Sequence, residues 1–443
     1  MPDQDDRHLD ANDVEDLLAR RLSHDRRRRV VGHLVGDCEP CRARVRSRLV
    51  QAREEVSAYQ AAIDAALAKS AVHIRRELAD LAAGAQLWAG LRDQPPGRRM
   101  LMVRNARRYG TAGVLAALLR DYHEALWRDP REGLEIAELG LAIAERLDDG
   151  SRHGARLADL QSEALGIAAN AMRLASCHGD AAELLLAAEQ LRWAGSGDLL
   201  LEGRLLTYQG SLWQTLRHFD EAAQVFGQAE QAYRKAGEPH LAARSLVARA
   251  EAIGYLHPVQ GVRLIRRAIP DIDGARDPHL ELAAHHSLAW YLNDAGWVWE
   301  AREEVGRSAV LYQRFSGDAV ASLSRAWLQG RIDRSLHELD QARRSYERAW
   351  AGFEELGMEI HLTMLAIDRA ELQVAAGELA SAAALLARIM MLVESWGVGR
   401  ETLAALRLLR EAVLSRQCER AAFRRASVAV RRCWAKVGAG GPA

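Results

Sequence analysis

Four residues near the start of the chain carry donor atoms at spacings suited to one metal ion: His8, His33, Cys38 and Cys41. Structural zinc is held tetrahedrally by four nitrogen or sulfur ligands, and two cysteines with two histidines form a standard set. The Cys38-Glu-Pro-Cys41 spacing lets two thiolates clasp an ion from a single turn, and His33 lies five residues before Cys38. These four are the expected metal ligands, with Zn2+ as the cofactor.

The segment that must position them reads as three short helices. Asp10 or Asn12 opens the first, which runs through Leu17-Leu18 to Leu22. Ser23 caps a second that carries Val30, Val31 and Leu34 on one side, and Glu39-Pro40 starts a third. His8 precedes the first helix, His33 sits on the second and the cysteines open the third. One ion would tie all three together, and a core of about 50 residues gains folding free energy from such a staple.

The four residues, in this order, resemble the zinc-binding anti-sigma factor domain of bacteria, which has an upstream His followed by His-x3-Cys-x2-Cys. Here four residues, 34–37, separate His33 from Cys38 where the family has three. The resemblance covers roughly residues 7 to 66. It implies a head that binds a protein partner, with a sigma factor as the candidate, and that in some members senses oxidants through the zinc thiolates.

From about residue 112 the sequence reads as helix after helix with a 40-residue period. Gly197, Gly237, Gly317, Gly357 and Gly397 share one register, in which slot 277 holds Asp. Asp180, Asp220, Gln260, Glu300, Asp340 and Ala380 share a second, expected to start helices. Asn170, Gly210, Ala250, Trp290, Gly330 and Ala370 share a third, mostly small and mid-helix. Three registers on one period indicate a repeat of two-helix units, each burying its apolar stripe against the next. Tyr208-Gln-Gly210-Ser-Leu-Trp213, Phe219-Asp220-Glu221-Ala222, Phe226 and Ala229 resemble the tetratricopeptide repeat (TPR), and Gly330 with Asp340-Gln341-Ala342, Tyr346 and Ala349 is a second copy. The expected fold is all-α: a right-handed α-α superhelix, a TPR-like solenoid of about eight hairpins, preceded by the small zinc-stapled helical domain. The expected divisions are 1–66 for the head, 67–97 for a helical linker broken at Gln94-Pro95-Pro96-Gly97, and 98–443 for the array.

In such arrays the first helix of each pair lines the concave face. Counting from the small-residue register, Gln214, Glu251, Tyr291, Asp294, Arg331 and Arg334 are the candidate groove residues. Their mixed charge favours a peptide or protein partner. His285-His286 point in different directions on their helix and are expected to pack or line the groove. The last helix carries Arg416, Arg420, Arg424, Arg425, Arg431, Arg432 and Lys436 against Glu419, and is expected to cap the array by facing water.

Composition narrows the function classes. The 443 residues are 49% hydrophobic with a formal net charge of zero, so no whole-molecule field favours nucleic acid or an anionic membrane. No apolar run reaches the ~18 residues of a membrane span. The acidic, polar start is no secretory signal, and five cysteines suggest no disulfide framework, so a reducing cytoplasm is expected. Cys177, Cys418 and Cys433 lack a nearby histidine at ligand spacing and read as ordinary thiols. No phosphate-cradling loop, nucleophile elbow or His-Glu-x-x-His helix occurs. The expectation is a non-enzymatic regulatory adaptor; the alternative is a TPR scaffold whose head is only an N-terminal cap.

Overall fold

The computed structural model describes residues 8–19, 21–36, 38–51, 56–147, 154–395 and 400–437, and among these every regular element is a helix. They form two compact units: residues up to 95 with 107–117, and residues 96–106 with those from 118 onward.

The first unit begins with α1 (Ala11–Leu18), α2 (His24–Val35) and α3 (Glu39–Gln51). Asp10 caps α1 by accepting from the Asp13 amide, and Ser23 occupies the N-cap of α2 without a side-chain bond. Arg42 donates from Nε to the Leu34 carbonyl at 2.6 Å and from its terminal nitrogen to the Val35 carbonyl at 3.1 Å, satisfying the open end of α2. Val14, Leu22, Val30, Cys41 and Val45 are buried, whereas Val31 faces out, because adjacent residues on a helix point about 100° apart. α1 stops at Leu18, so Leu22 reaches the core from the connection. Next, α4 runs unbroken from Val56 to Arg92, passing residue 66 where the sequence reading ends the head. Trp88 and Leu91 on α4 are buried, as are Tyr109 and Val114. The backbones of Gly84 and Gly113 approach so closely that a Cβ on Gly84 would lie 2.1 Å from the Gly113 carbonyl carbon.

The second unit is a right-handed helical-repeat superhelix. It contains α5 (Pro96–Asn105) and α7 (Pro130–Ala144); α6 (Ala112–Arg128) joins the two units in sequence. Helices then pair in order: α8 (Gly154–Leu174) with α9 (His178–Trp193), α10 (Leu199–Thr215) with α11 (Phe219–Lys235), and α12 (Pro239–Ile253) with α13 (Pro258–Ala268). The fourth pair is α14 (Pro278–Asp294) with α15 (Val298–Arg307), continued by α16 (Ala309–Arg314). The last three are α17 (Ala319–Ser335) with α18 (Leu339–Glu355), α19 (Glu359–Ala375) with α20 (Leu379–Ser395), and α21 (Arg400–Leu414) with α22 (Arg420–Val437).

The small-residue register does what stacking requires. A Cβ on Gly210 would lie 2.7 Å from the Phe226 ring, and one on Gly330 would lie 2.5 Å from the Tyr346 ring. Ala250 and Ala370 are fully buried at the equivalent positions. The glycine register closes the turns between pairs: Gly197, Gly237 and Gly357 have positive φ, whereas Gly317 does not. Gly397 lies outside the described residues. The polar register falls inside the first turn of each second helix, not at its cap, where acidic side chains favour the helix dipole. The turns within pairs form another series, Ser176, Arg217, Gly296, His337, Gly377 and Arg416, all left-handed. Each is followed by a residue whose amide reaches back five positions, as from His218 to the Trp213 carbonyl and from Glu338 to the Asp333 carbonyl. That bond ends a helix in the Schellman manner.

Candidate metal centre and inner groove

The structure brings His8, His33, Cys38 and Cys41 together: one donor atom from each lies within 4.8 Å of the others. His8 Nδ1 is 3.3 Å from Cys38 Sγ and 3.5 Å from Cys41 Sγ. Tetrahedral Zn–N and Zn–S bonds give ligand-to-ligand edges of about 3.4–3.8 Å, so modest side-chain motion would seat an ion. His33 Nε2 is buried and has no hydrogen-bond partner, which a metal would supply. Cys41 is 1% exposed; burial pushes its thiol up, while the Leu9 amide, donating to Sγ at 3.3 Å, draws it down. Arg44 holds the Leu9 carbonyl at 2.9 Å and so fixes the segment beside His8. Of the arginine run 26–29, all exposed, Arg26 pairs with Asp13 at 2.7 Å.

The groove residues divide. Asp294, Arg331 and Arg334 converge in a buried charge ladder along the inner helices. Arg331 meets Asp294 of α14 at 2.6 Å and Asp368 of α19 at 2.7 Å, with its guanidinium 4.3 Å from the Trp290 ring centre. Arg334 meets Glu371 at 2.5 Å and Asp368 at 3.5 Å. Trp327 Nε1 donates to Asp368 at 2.7 Å. Burial alone would raise the Asp294 carboxyl, but Arg331 outweighs it and holds the group below the ordinary range. Burial wins at Glu371, which is raised despite Arg334.

Tyr291 does not line the groove. Its ring fills the space left by Gly254 and Gly261, and its hydroxyl donates to the Ala250 carbonyl at 3.1 Å, so it belongs to the packing between α12 and α13. Gln214 and Glu251 are half-buried, apart from the ladder; burial pushes the Glu251 carboxyl up to about 7. His285 and His286 take separate partners, Glu304 at 2.5 Å and the Tyr312 hydroxyl at 2.7 Å. Cys177 is exposed and Cys418 half-buried; the Cys433 side chain lies outside the described residues.

Of the basic residues at the last helix, Arg416, Arg420, Arg424 and Arg425 are all exposed, as a cap facing water requires, but Arg420 and Arg424 of α22 also line the rim of the same groove. Arg420 donates to Ser335 Oγ at 2.7 Å and lies 3.5 Å from Glu371, while Arg424 donates to the Asp294 carbonyl. This placement gives partners to the Asp294 carbonyl at the end of α14, the Ser335 hydroxyl at the end of α17 and the Glu371 carboxylate in the last turns of α19. Asp368, Glu371, Arg420 and Arg424 were absent from the sequence-based groove set. Opposite charges 37 residues apart, as in Asp294, Arg331 and Asp368, were the available signal.

No protein-family model matches the chain, and no curated protein matches it. Among solved structures, a Rap protein complexed with competence and sporulation factor is similar at 14% identity, covering 68% of this chain and 83% of that one, with a TM-score of 0.53. Aspartyl phosphate phosphatase F from Bacillus subtilis is similar at 13% identity, covering 86% and 94%, with a TM-score of 0.50. These likenesses concern the fold.

Proposed function

We propose that this chain is a non-enzymatic regulatory adaptor, with a zinc-stapled head that binds one protein partner and a TPR-like array whose inner groove binds a segment of a second. The observation that carries the reading is the convergence of His8, His33, Cys38 and Cys41 donor atoms within 4.8 Å, from residues up to 33 positions apart. A bound Zn2+ would cross-link the start of the chain, α2 and α3. The chain's own groups prepare the site: Arg44 anchors the segment carrying His8, Arg42 closes α2 beyond His33, and the Leu9 amide favours the Cys41 thiolate. A reducing cytoplasm suits such thiolates. A structure of similar fold holds competence and sporulation factor, which supports a ligand-binding use of the array.

Metal analysis of the purified chain tests the head. One equivalent of zinc is expected, falling away in His33→Ala and Cys38→Ala; wild-type protein without zinc refutes the metal. The anti-sigma resemblance makes a sigma factor the finer candidate partner. Co-expression of the full chain with the host's sigma factors should retain one of them, and retention lost in Cys38→Ala would tie it to the head. Retention of none rejects that finer reading.

A further inference from the structure

The groove is occupied by the chain's own last helix. Arg420, Phe423, Arg424, Ser427 and Val428 all line it. Their spacing, i, i+3, i+4, i+7 and i+8, is one face of a helix. Facing them are Trp290 and Asp294 of α14, Arg331 and Arg334 of α17, and Met364, Asp368 and Glu371 of α19. The space left between is about 30 Å³, room for one or two waters.

The chemistry of the contact is directional. In the groove wall, the three carboxylates of Asp294, Asp368 and Glu371 face the two guanidinium groups of Arg331 and Arg334, which leaves the wall acidic. Asp294 and Ser335 are the last residues of α14 and α17, where unpaired carbonyls add negative potential. Arg420 and Arg424 meet both sources, and Phe423, 3% exposed, is the apolar contact between them.

The apolar part of the contact is narrow over residues 420–430, where Phe423, Ala426 and Val430 are the buried side chains and both arginines remain exposed. A non-helical joint at 417–419, entered through the left-handed Arg416, tethers α22 to the array.

We propose that α22 is an intramolecular occupant of the inner groove, and that the external ligand is a cationic amphipathic helix, bearing two basic residues four apart around an aromatic, that takes its place. The inference rests on the groove half of the proposed function and names the ligand class. A site filled by its own chain binds an outside ligand with an affinity reduced by the fraction of time it is open.

The test uses a fluorescently labelled peptide of residues 416–437 and the full chain, wild type or carrying Arg420→Glu with Arg424→Glu. The substituted helix is repelled by the acidic wall, so the double variant should bind the peptide about tenfold or more tightly than wild type. Adding Glu371→Gln to the double variant should weaken binding again. Amide exchange on the wild-type chain is the second measurement, independent of the variants' folding. Protection over 420–437 should fall when the peptide is added to saturation. Equal affinity of both chains, or protection unmoved at saturation, overturns the occlusion. An acidic peptide of equal length bound as tightly overturns the ligand class. If both chains bind equally and Glu371→Gln abolishes it, the groove reading survives while the occlusion falls. Binding by no chain rejects both.

Discussion

Asp368 is the point at which the groove's charge ladder can be measured. It is 3% exposed; its oxygens accept from Trp327 Nε1 and Arg331 at 2.7 Å, and Arg334 lies 3.5 Å away. Asp368→Ala would strip a buried guanidinium of one of two carboxylates and leave a buried indole N–H unpaired. Removing one partner of a buried ion pair costs about 3–5 kcal/mol, and an orphaned donor about 1–3 kcal/mol more. Because Arg331 keeps Asp294 at 2.6 Å, the low end applies to each, about 4 kcal/mol in all. Asp368→Asn keeps an acceptor for the indole and should cost roughly half as much. The assay is urea unfolding followed by far-UV circular dichroism, with tryptophan emission as the reporter near the lesion. A cycle with Arg331→Met should show a coupling of about 1–3 kcal/mol, as expected for groups in direct contact. A loss below about 0.5 kcal/mol for Asp368→Ala, or strict additivity with Arg331→Met, would refute the claim that the ladder holds the inner helices together.

Other predictions concern single positions. Glu251, raised from 4.5 to about 7 in the folded chain, keeps its proton there while the unfolded chain loses it, so stability falls as pH rises from 4.5 through 7. Glu251→Gln should therefore be more stable at pH 8 by about 2 kcal/mol, after allowance for the solvent that still reaches the carboxyl, and no different below pH 4.5 in urea melts. His286, lowered by burial from 6.5 to about 4, has the opposite sign: stability is lost as pH falls from 6.5 toward 4, and His286→Phe should flatten that acid limb. Gly330→Ala drives a methyl into the Tyr346 ring and should cost about 1–3 kcal/mol despite alanine's helix preference, with Tyr346→Leu recovering part of it.

The His/Cys cluster was legible in its second half, where donor type and short spacing bring His33, Cys38 and Cys41 together, while His8 joins from 25 residues upstream through the fold; Asp10 and Ser23 mark the helices that carry the cluster. The repeat was legible where a turn needs a left-handed residue and has glycine, as at Gly237 and Gly357. It was illegible within pairs, because Ser176, Arg217, His337 and Arg416 accept the same conformation without looking like breakers. The groove was half legible. Asp294 and Arg331 fell on the inner face by register, but Tyr291, one residue beyond the small position, is rotated toward α13 and fills the space beside Gly254 and Gly261. The seat of α22 could not be read, since it depends on Asp294, 130 residues earlier than Arg424.

That long-range contact changes how the array comes apart. A solenoid couples each repeat only to its neighbours, so its end can fray one hairpin at a time. Here the final helix reaches back past two complete pairs to the end of α14. While it is seated, residues 278–430 are expected to open as one cooperative block, and loss of the last pair would expose its predecessors at once. Lifted away, the same stretch reverts to separately fraying repeats. The helix therefore sets the size of the unfolding unit, and a protease that cuts opened chains would read its position as a change from all-or-none to stepwise digestion.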